Sequence, residues 1–404
     1  MPSITAIIPT YNRAGYLKEA LDALGRQTRP IDEIIVWDDG STDGTIDVVR
    51  AWGKGVRYFR SENGGKSRAL NAAMGQATGD CVWICDDDDL ALPQAAETLS
   101  AMLEADPAIG VAGGGYRRFR DGPEGRVEQG PGYWPDLNVG SPIRHLLEDI
   151  FLFQNATLVR RSLYDRVGPF REDLARSIDY DMVVRLGLAA PMCLTETAVF
   201  LQRKHDGDRG PAAARHAASR SDDVWKAADR AVFAPFRRGI PLDFYGAFFE
   251  TAEPDLARRA ALLQRGCIAA RRTDWAAAAA DLEAAAAVLP EMSLSDVERG
   301  ILRRMAGGKH GIDEALADDM PRRLIGLGQR GGAGAEIARG LARGLHWRVK
   351  AAVRDGRWRD GARISRLTAR LSMVRGGGTG LVPPKLEERR ALPAAAYSDV
   401  VPIG

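Results

Sequence analysis

The chain has 404 residues, 45% of them hydrophobic and 27% charged, with a formal net charge of +2. That length exceeds one ordinary compact core and fits two or three domains, and the near-neutral balance argues for neither a nucleic acid nor a membrane as partner of the chain as a whole. No apolar run approaches the roughly 18 residues needed to span a bilayer. The opening MPSITAIIPT lacks the basic start and long apolar stretch of a signal peptide. Cys81, Cys85, Cys193 and Cys267 show no metal-ligand spacing, so a cytoplasmic setting is expected.

Residues 4–9, a β-branched apolar run ending at Pro9, read as a buried strand. Leu17, Ala20, Leu21 and Leu24 then carry helical spacing over 14–24. A second strand runs apolar through Ile34, Ile35, Val36 and Trp37 and breaks into Asp38, Asp39 and Gly40. A helix over 45–52, a strand at 56–60, a helix over 66–76 and a strand at 80–86 follow. This alternation predicts βαβ units: an α/β domain with a mostly parallel sheet and helices on both faces. In such sheets ligands sit at the carboxyl ends of strands. The polar clusters after Pro9, Trp37 and Cys85 all fall at such ends.

The sharpest feature is Asp86-Asp87-Asp88-Asp89 directly after a strand. Four adjacent carboxylates repel one another, and a divalent cation such as Mg²⁺ or Mn²⁺ relieves this with hard oxygen ligands, leaving coordination positions for substrate phosphates. In an extended segment Asp86 and Asp88 share a side and Asp87 points away. One of the pair can hold the ion while the other accepts from a ribose hydroxyl. A solvated acidic loop or a helix N-cap remains the plainer alternative, Asp89 in particular suiting the latter.

Four segments occur in order: Pro9-Thr10-Tyr11-Asn12-Arg13, Asp38-Asp39-Gly40-Ser41-Thr42-Asp43, Gly64-Gly65-Lys66-Ser67-Arg68-Ala69-Leu70-Asn71 and Asp86-Asp87-Asp88-Asp89. Together they closely resemble the family 2 glycosyltransferases over about residues 3–210. The resemblance implies a GT-A fold (Rossmann-like) and an inverting transfer from a nucleotide-diphosphate sugar, a UDP-sugar first. It places Pro9, Thr10 and Tyr11 against the nucleotide base and Asp38 or Asp39 on a base N–H. Lys66 falls near the base and phosphates, Asp86 on the ribose and Asp88 on the metal. Arg13 and Asp87 join the donor-binding set. The Lys-Ser-x-Ala-Leu-Asn form is similar to the polysaccharide-synthase branch of the family.

Inversion needs one carboxylate to take the acceptor hydroxyl's proton. The family carries an acidic pair before an amphipathic helix ending in Arg-Leu. Ser177-Ile178-Asp179-Tyr180-Asp181 through Arg185-Leu186 resembles that pattern, with Ile178 in place of the usual Glu. Asp179 then aligns with the base and Asp181 stays open as the alternative; both also suit the first turn of a helix. After the apolar run 198–201, Arg203 and His205 suit a diphosphate- and metal-facing role, His205 as a second metal ligand, with Arg209 a weaker candidate. Tyr116, Tyr133, Trp134, Gln154 and Asn155 are candidates for the acceptor side, or simply core residues.

The chain divides on this reading into a catalytic domain over 1–210, an α-helical region over 211–300 and a basic, helical to irregular extension over 301–404. Gly266, Ala278, Leu282, Ala285 and Pro290 stand at tetratricopeptide-repeat spacing, a single degenerate match. Between Arg339 and Arg375 there are eleven Lys/Arg against two acids, with Trp347 and Trp358 among them. That suits an anionic membrane surface, the plainer alternative being a solvated helical face or a partner surface. The acceptor is expected to be a glycan or lipid-linked, in cell-surface polysaccharide or glycoconjugate synthesis. A sugar-nucleotide pyrophosphorylase would instead place a glycine-rich phosphate loop after the first strand, where this chain has Thr10-Tyr11-Asn12-Arg13. A degenerate domain acting as a scaffold is the non-enzymatic alternative.

Overall fold

The computed structural model describes residues 1–53, 55–204, 221–376 and 381–397, with the side chains of 221–223 left aside. His205 and Arg209 lie outside the described residues. The chain forms two compact units, one built from Met1–Asp136 and 150–204, the other from Leu137–Asp149 and 221–397.

In the first unit, β1 (Ile4–Thr10) leads to α1 (Ala14–Gly25), β2 (Glu33–Asp38), α2 (Thr45–Trp52), β3 (Val56–Arg60), α3 (Lys66–Met74) and β4 (Cys81–Ile84). Short β5 (Leu90–Ala91), α4 (Ala95–Ala105), the long pair β6 (Val111–Gly122) and β7 (Gly125–Pro131), then helix α5 (Pro142–Glu148) of the second unit follow. The chain returns through β8 (Thr157–Arg160), α6 (Arg161–Val167), α7 (Ile178–Ala189) and β9 (Met192–Arg203). The strands form one sheet in the order β3-β2-β1-β4-β8-β6-β9-β5, with β7 on β6. β3, β2, β1 and β4 are mutually parallel, β8 runs against β4 and β6, and β6 and β9 are parallel again. This is the mixed, mostly parallel α/β sheet that the resemblance implies.

β1 is buried along its whole length, as a central parallel strand covered on both faces must be. Parallel register sets the site. Thr10 pairs with Asp38, and Asp38 with Arg60. Ile7 pairs with Ile84, so Asp86–Asp89 emerge at the same edge. The region 110–135, which shows no periodic signal, holds β6 and β7. Its Gly113-Gly114-Gly115 run weakens the apolar pattern for a packing reason: a Cβ on Gly115 would lie 2.5 Å from the Glu196 carbonyl oxygen.

The second unit is helical: α8 (Ser221–Gly239), α9 (Leu242–Gly246), α10 (Pro254–Arg271), α11 (Trp275–Val288), α12 (Asp296–Met305), α13 (Met320–Gln329), α14 (Gly332–Arg354) and α15 (Trp358–Ser372). A two-strand ribbon of β10 (Phe249–Glu250) and β11 (Glu387–Glu388) closes it. The repeat-like spacing corresponds to the α10–α11 pair, where a Cβ on Gly266 would lie 3.3 Å from the Ala278 carbonyl oxygen. α12 starts with a full capping box between Ser295 and Glu298, which satisfies otherwise orphaned N–H groups. Gly332 and Gly334 open α14, where Gly334 must approach the Leu327 carbonyl: a Cβ there would lie 2.6 Å from its oxygen. Among the described residues, no helix is long and apolar enough to cross a membrane.

Candidate functional site at the carboxyl edge of the sheet

The edge of β1, β2 and β4 gathers three polar turns. After β1, Asn12 sits at φ 52°, and its side-chain oxygen accepts from the Thr42 amide at 2.7 Å while its own amide donates to Ser41 Oγ at 2.9 Å. The first turn is thus bound to the second. Pro9 is buried in the strand, and Tyr11 is 47% exposed, free to present its ring.

Asp38 and Asp39 divide the work at the end of β2. Asp38 accepts from the Ser41 amide at 2.7 Å and the Tyr58 hydroxyl at 2.5 Å. Asp39 accepts from the amides of Gly64 and Gly65, each at 2.8 Å, and its own amide donates to the Thr10 carbonyl at 2.9 Å. Both carboxylates therefore hold turns together. Gly40 is required between them: its φ is +86°, and a Cβ there would lie 2.9 Å from the Asn63 nitrogen.

The acidic run divides in the same way. Asp87 turns inward, accepting from Thr10 Oγ1 at 2.8 Å and from Arg13 at 2.9 Å. Burial, with the charge of Asp88, raises its pKa to about 6 against the pull of Arg13. Asp86, Asp88 and Asp89 bring carboxylate oxygens within 4.8 Å of one another. Arg13 also reaches Asp88 at 3.0 Å, and Lys66, at the start of α3, donates to Asp86. Burial raises the Asp89 carboxyl well above its usual range, and the charges of Asp88 and Asp86 add to this. Repulsion thus outlasts the two local cations. Three hard oxygen donors left in that state fit a divalent ion.

Asp179 opens α7. Burial raises its pKa, Lys66 lowers it and Asp86 raises it again, so it shares the electrostatic field of the acidic run. Burial would lower the Lys66 pKa, but Asp86, Asp179 and Asp88 lift it above the ordinary lysine value. Asp181 is differently placed. It is buried in ion pairs with Arg185 at 2.8 Å and Arg171 at 3.5 Å. Asn71 bonds the Phe170 backbone in both directions, at 2.7 and 3.0 Å, and so fixes the approach to α7.

Arg203, expected on the diphosphate, is 2% exposed. Its guanidinium meets Asp121, Glu19 and the Asp88 carbonyl, the last at 2.8 Å, and its amide donates to Asp89 at 2.8 Å. It positions the acidic loop from behind. Asn155 does so from the other side, accepting from the Asp86 amide at 2.8 Å and donating to Asp89 at 2.6 Å. The inclusion of Asp89 in the cluster and this clamping role of Asn155 were not apparent from the sequence, because the two residues that Asn155 joins lie 69 and 66 positions away. Of the acceptor-side candidates, Tyr116 is a core residue stacked on Phe200 at 5.4 Å. Gln154 and Trp134 differ: the Gln154 amide nitrogen and oxygen and the Trp134 indole N–H are buried without hydrogen-bond partners.

Residues 5–168 match the family described as Glycosyl transferase family 2. An uncharacterised glycosyltransferase of Rickettsia conorii is 30% identical over 206 residues, 50% of this chain and 34% of that protein. Chondroitin synthase of Pasteurella multocida is 27% identical over 190 residues, 46% of this chain and 19% of the synthase. The crystal structure of S. aureus TarS 1–349 aligns at a TM-score of 0.49 and 16% identity, covering 86% of this chain and 91% of that one. The chain matches about a third or less of the length of these curated relatives. The motifs at the sheet edge, from Thr10 to Asp89, lie within the matched segment, and over residues 5–168 the chain is similar to the family 2 glycosyl transferases.

Proposed function

We propose that this protein is an inverting glycosyltransferase that moves a sugar from a nucleotide diphosphate, a UDP-sugar first, to a glycan or lipid-linked acceptor. The observation that carries this reading is the clustering of Asp86, Asp88 and Asp89 within 4.8 Å at the strand edge where Thr10, Asp39 and Lys66 converge. Asp88 would hold a Mg²⁺ or Mn²⁺ ion with Asp86 and Asp89 beside it, and such an ion supplies Lewis-acid stabilisation of a departing diphosphate. His205 is proposed as a further ligand.

The chain's own residues supply the rest. Tyr11 lies against the base. Asp39 accepts the base N–H in preference to Asp38, which is the more deeply buried of the two. Asp86 faces the ribose. Lys66 balances Asp86 and the donor phosphates, while Arg13 with Asp87, and Arg203 with Asn155, hold the acidic loop in place. Asp179 takes the proton from the acceptor hydroxyl as that oxygen bonds the anomeric carbon and the bond to the diphosphate breaks, its electron pair leaving with the nucleoside diphosphate. Asp181 is the less suitable base because Arg185 and Arg171 already claim its oxygens. The unpartnered amide of Gln154, next in sequence to Asn155, suits an acceptor hydroxyl. Peripheral contact with the cytoplasmic face of a membrane through 339–375 is part of the same proposal and would serve a lipid-linked acceptor.

A thermal-shift screen of uridine, thymidine and guanosine diphosphate sugars, with and without Mn²⁺ or Mg²⁺, tests the reading. A bound donor at a hundred times its dissociation constant should raise the melting temperature by roughly 5 to 10 °C, and Asp88→Asn should abolish the cation-dependent part. If no donor shifts a well-folded preparation under any of these conditions, the proposal fails.

A further inference from the structure

This inference deepens the peripheral membrane contact proposed above and rests on it. α15 buries Ile364, Leu367, Thr368 and Leu371. On its outer side Arg359, Arg363, Arg366 and Arg370 follow one another at spacings of four, three and four, and all are exposed. Residues three and four apart lie in one stripe, so the helix presents a continuous row of guanidinium groups about 16 Å long. Trp358, at the head of the helix, is 68% exposed, and Met373, just past its end, 75%. The cationic row is therefore bracketed by two large apolar side chains.

α14 repeats the pattern. Arg343, His346, Trp347, Lys350 and Arg354 are exposed at helical spacing, Trp347 to 45%. The two acids of this region, Asp355 and Asp360, pair with Arg354 and Arg357, which leaves the α15 row uncancelled by them. Guanidinium groups engage phosphate oxygens in a bidentate manner, and tryptophan favours the boundary between headgroups and acyl chains. A nucleic acid would satisfy the arginines but offers no apolar phase for Met373. We infer that the outer face of α15 is a docking surface for an anionic phospholipid bilayer, its arginines meeting headgroup phosphates while Trp358 and Met373 enter the interface.

Flotation of the full chain with vesicles of phosphatidylcholine alone, or mixed with phosphatidylglycerol, tests this at low and high salt. The wild type should bind the mixed vesicles, and salt should weaken that binding. Arg366→Gln with Arg370→Gln should weaken it roughly 30-fold, and Trp358→Ser should weaken it further. The same charge removal near the two ends of α13, Arg322→Gln with Arg330→Gln, should have a much smaller effect. Unchanged melting curves verify that the exposed substitutions leave the fold intact. Absence of binding to any vesicle would sink the peripheral contact itself. Binding that ignores the α15 row, or falls equally with the α13 pair, would overturn only this inference. Tighter binding to a single-stranded oligonucleotide than to the mixed vesicles would reassign the face to nucleic acid.

Discussion

The two units treat buried charge in opposite ways. At the sheet edge Asp86 to Asp89 and Asp179 face two nearby cations, Arg13 and Lys66, and burial together with mutual repulsion raises the carboxyls of Asp87, Asp89 and Asp179. In the helical unit, Glu148 lies among Arg144 at 3.2 Å, Arg304 at 3.1 Å and Gln264 at 2.9 Å. Arg271 donates to its carbonyl at 2.9 Å. Burial alone would raise the Glu148 pKa, but Arg304, Arg144 and Arg271 hold it well below the carboxylate range. Glu388 also pairs with Arg144 and Arg304, and Asp149 with Arg271, so three acids meet three arginines in a closed cluster, which is the mark of a structural device. The other carries an excess of acid that a bound cation would relieve, a perturbed cluster of the kind found at functional sites.

The strongest way to break the contrast is to neutralise one carboxylate in each cluster. Asp179→Asn should lower kcat by about a thousandfold while leaving donor-induced stabilisation in place, measured by product formation and thermal shift on the same preparation. If Asp181→Asn abolishes transfer in a stable protein and Asp179→Asn does not, the roles are reversed. Glu148→Gln should cost about 3 kcal/mol in urea unfolding, because it leaves buried arginines short of a partner. Asp88→Asn sharpens the same contrast with the opposite sign. Removing one of several repelling charges should raise the stability of the cation-free protein by about 1 kcal/mol even as cation-dependent donor binding disappears. A stability loss as large as that of Glu148→Gln would mean that both clusters are structural.

Much of this contrast could be read from the sequence, and the limits of that reading have physical causes. The elements from β1 to β4 were legible because β1, β2 and β4 are short apolar runs and α1 and α3 carry buried stripes. Their polar ends marked the site edge. β6 was not legible, since Gly113 to Gly115 remove the side chains from which a period is read, and close packing against Leu194, Val199 and the Glu196 carbonyl demands their absence. Asp88 and Asp179 stood out by position, but the inward turn of Asp87 and the occupied oxygens of Asp181 depend on Thr10, Arg13, Arg171 and Arg185, partners that only the folded chain brings near. Arg203 read as a phosphate ligand because a strand end is where one belongs. The sequence could not reveal Glu19 and Asp121 waiting for it.

The smallest effect probes the helical cluster from its edge. His145 precedes the Glu148 cluster on α5, and its Nε2 lies 2.9 Å from the Arg144 guanidinium. Burial, then the Arg144 charge, lowers its pKa from 6.5 to about 4. A depressed histidine pKa means that the unfolded chain binds a proton in a range where the folded chain does not. Stability then rises with pH across that range and falls on acidification from about 6.5 to about 4. Glu148 adds to the loss only below its ordinary value of 4.5, since its carboxylate is ionised in both states above that. The His145 contribution should thus be isolated between about pH 6.5 and 4.5. Subtracting the urea unfolding free energies of His145→Gln from those of the wild type at each pH cancels the titrating carboxylates of the sheet edge, which both proteins share. The difference should slope downward as the pH falls through that window. A flat difference would mean that the imidazole accepts its proton freely beside Arg144, and the closed character assigned to this cluster would not extend to its rim.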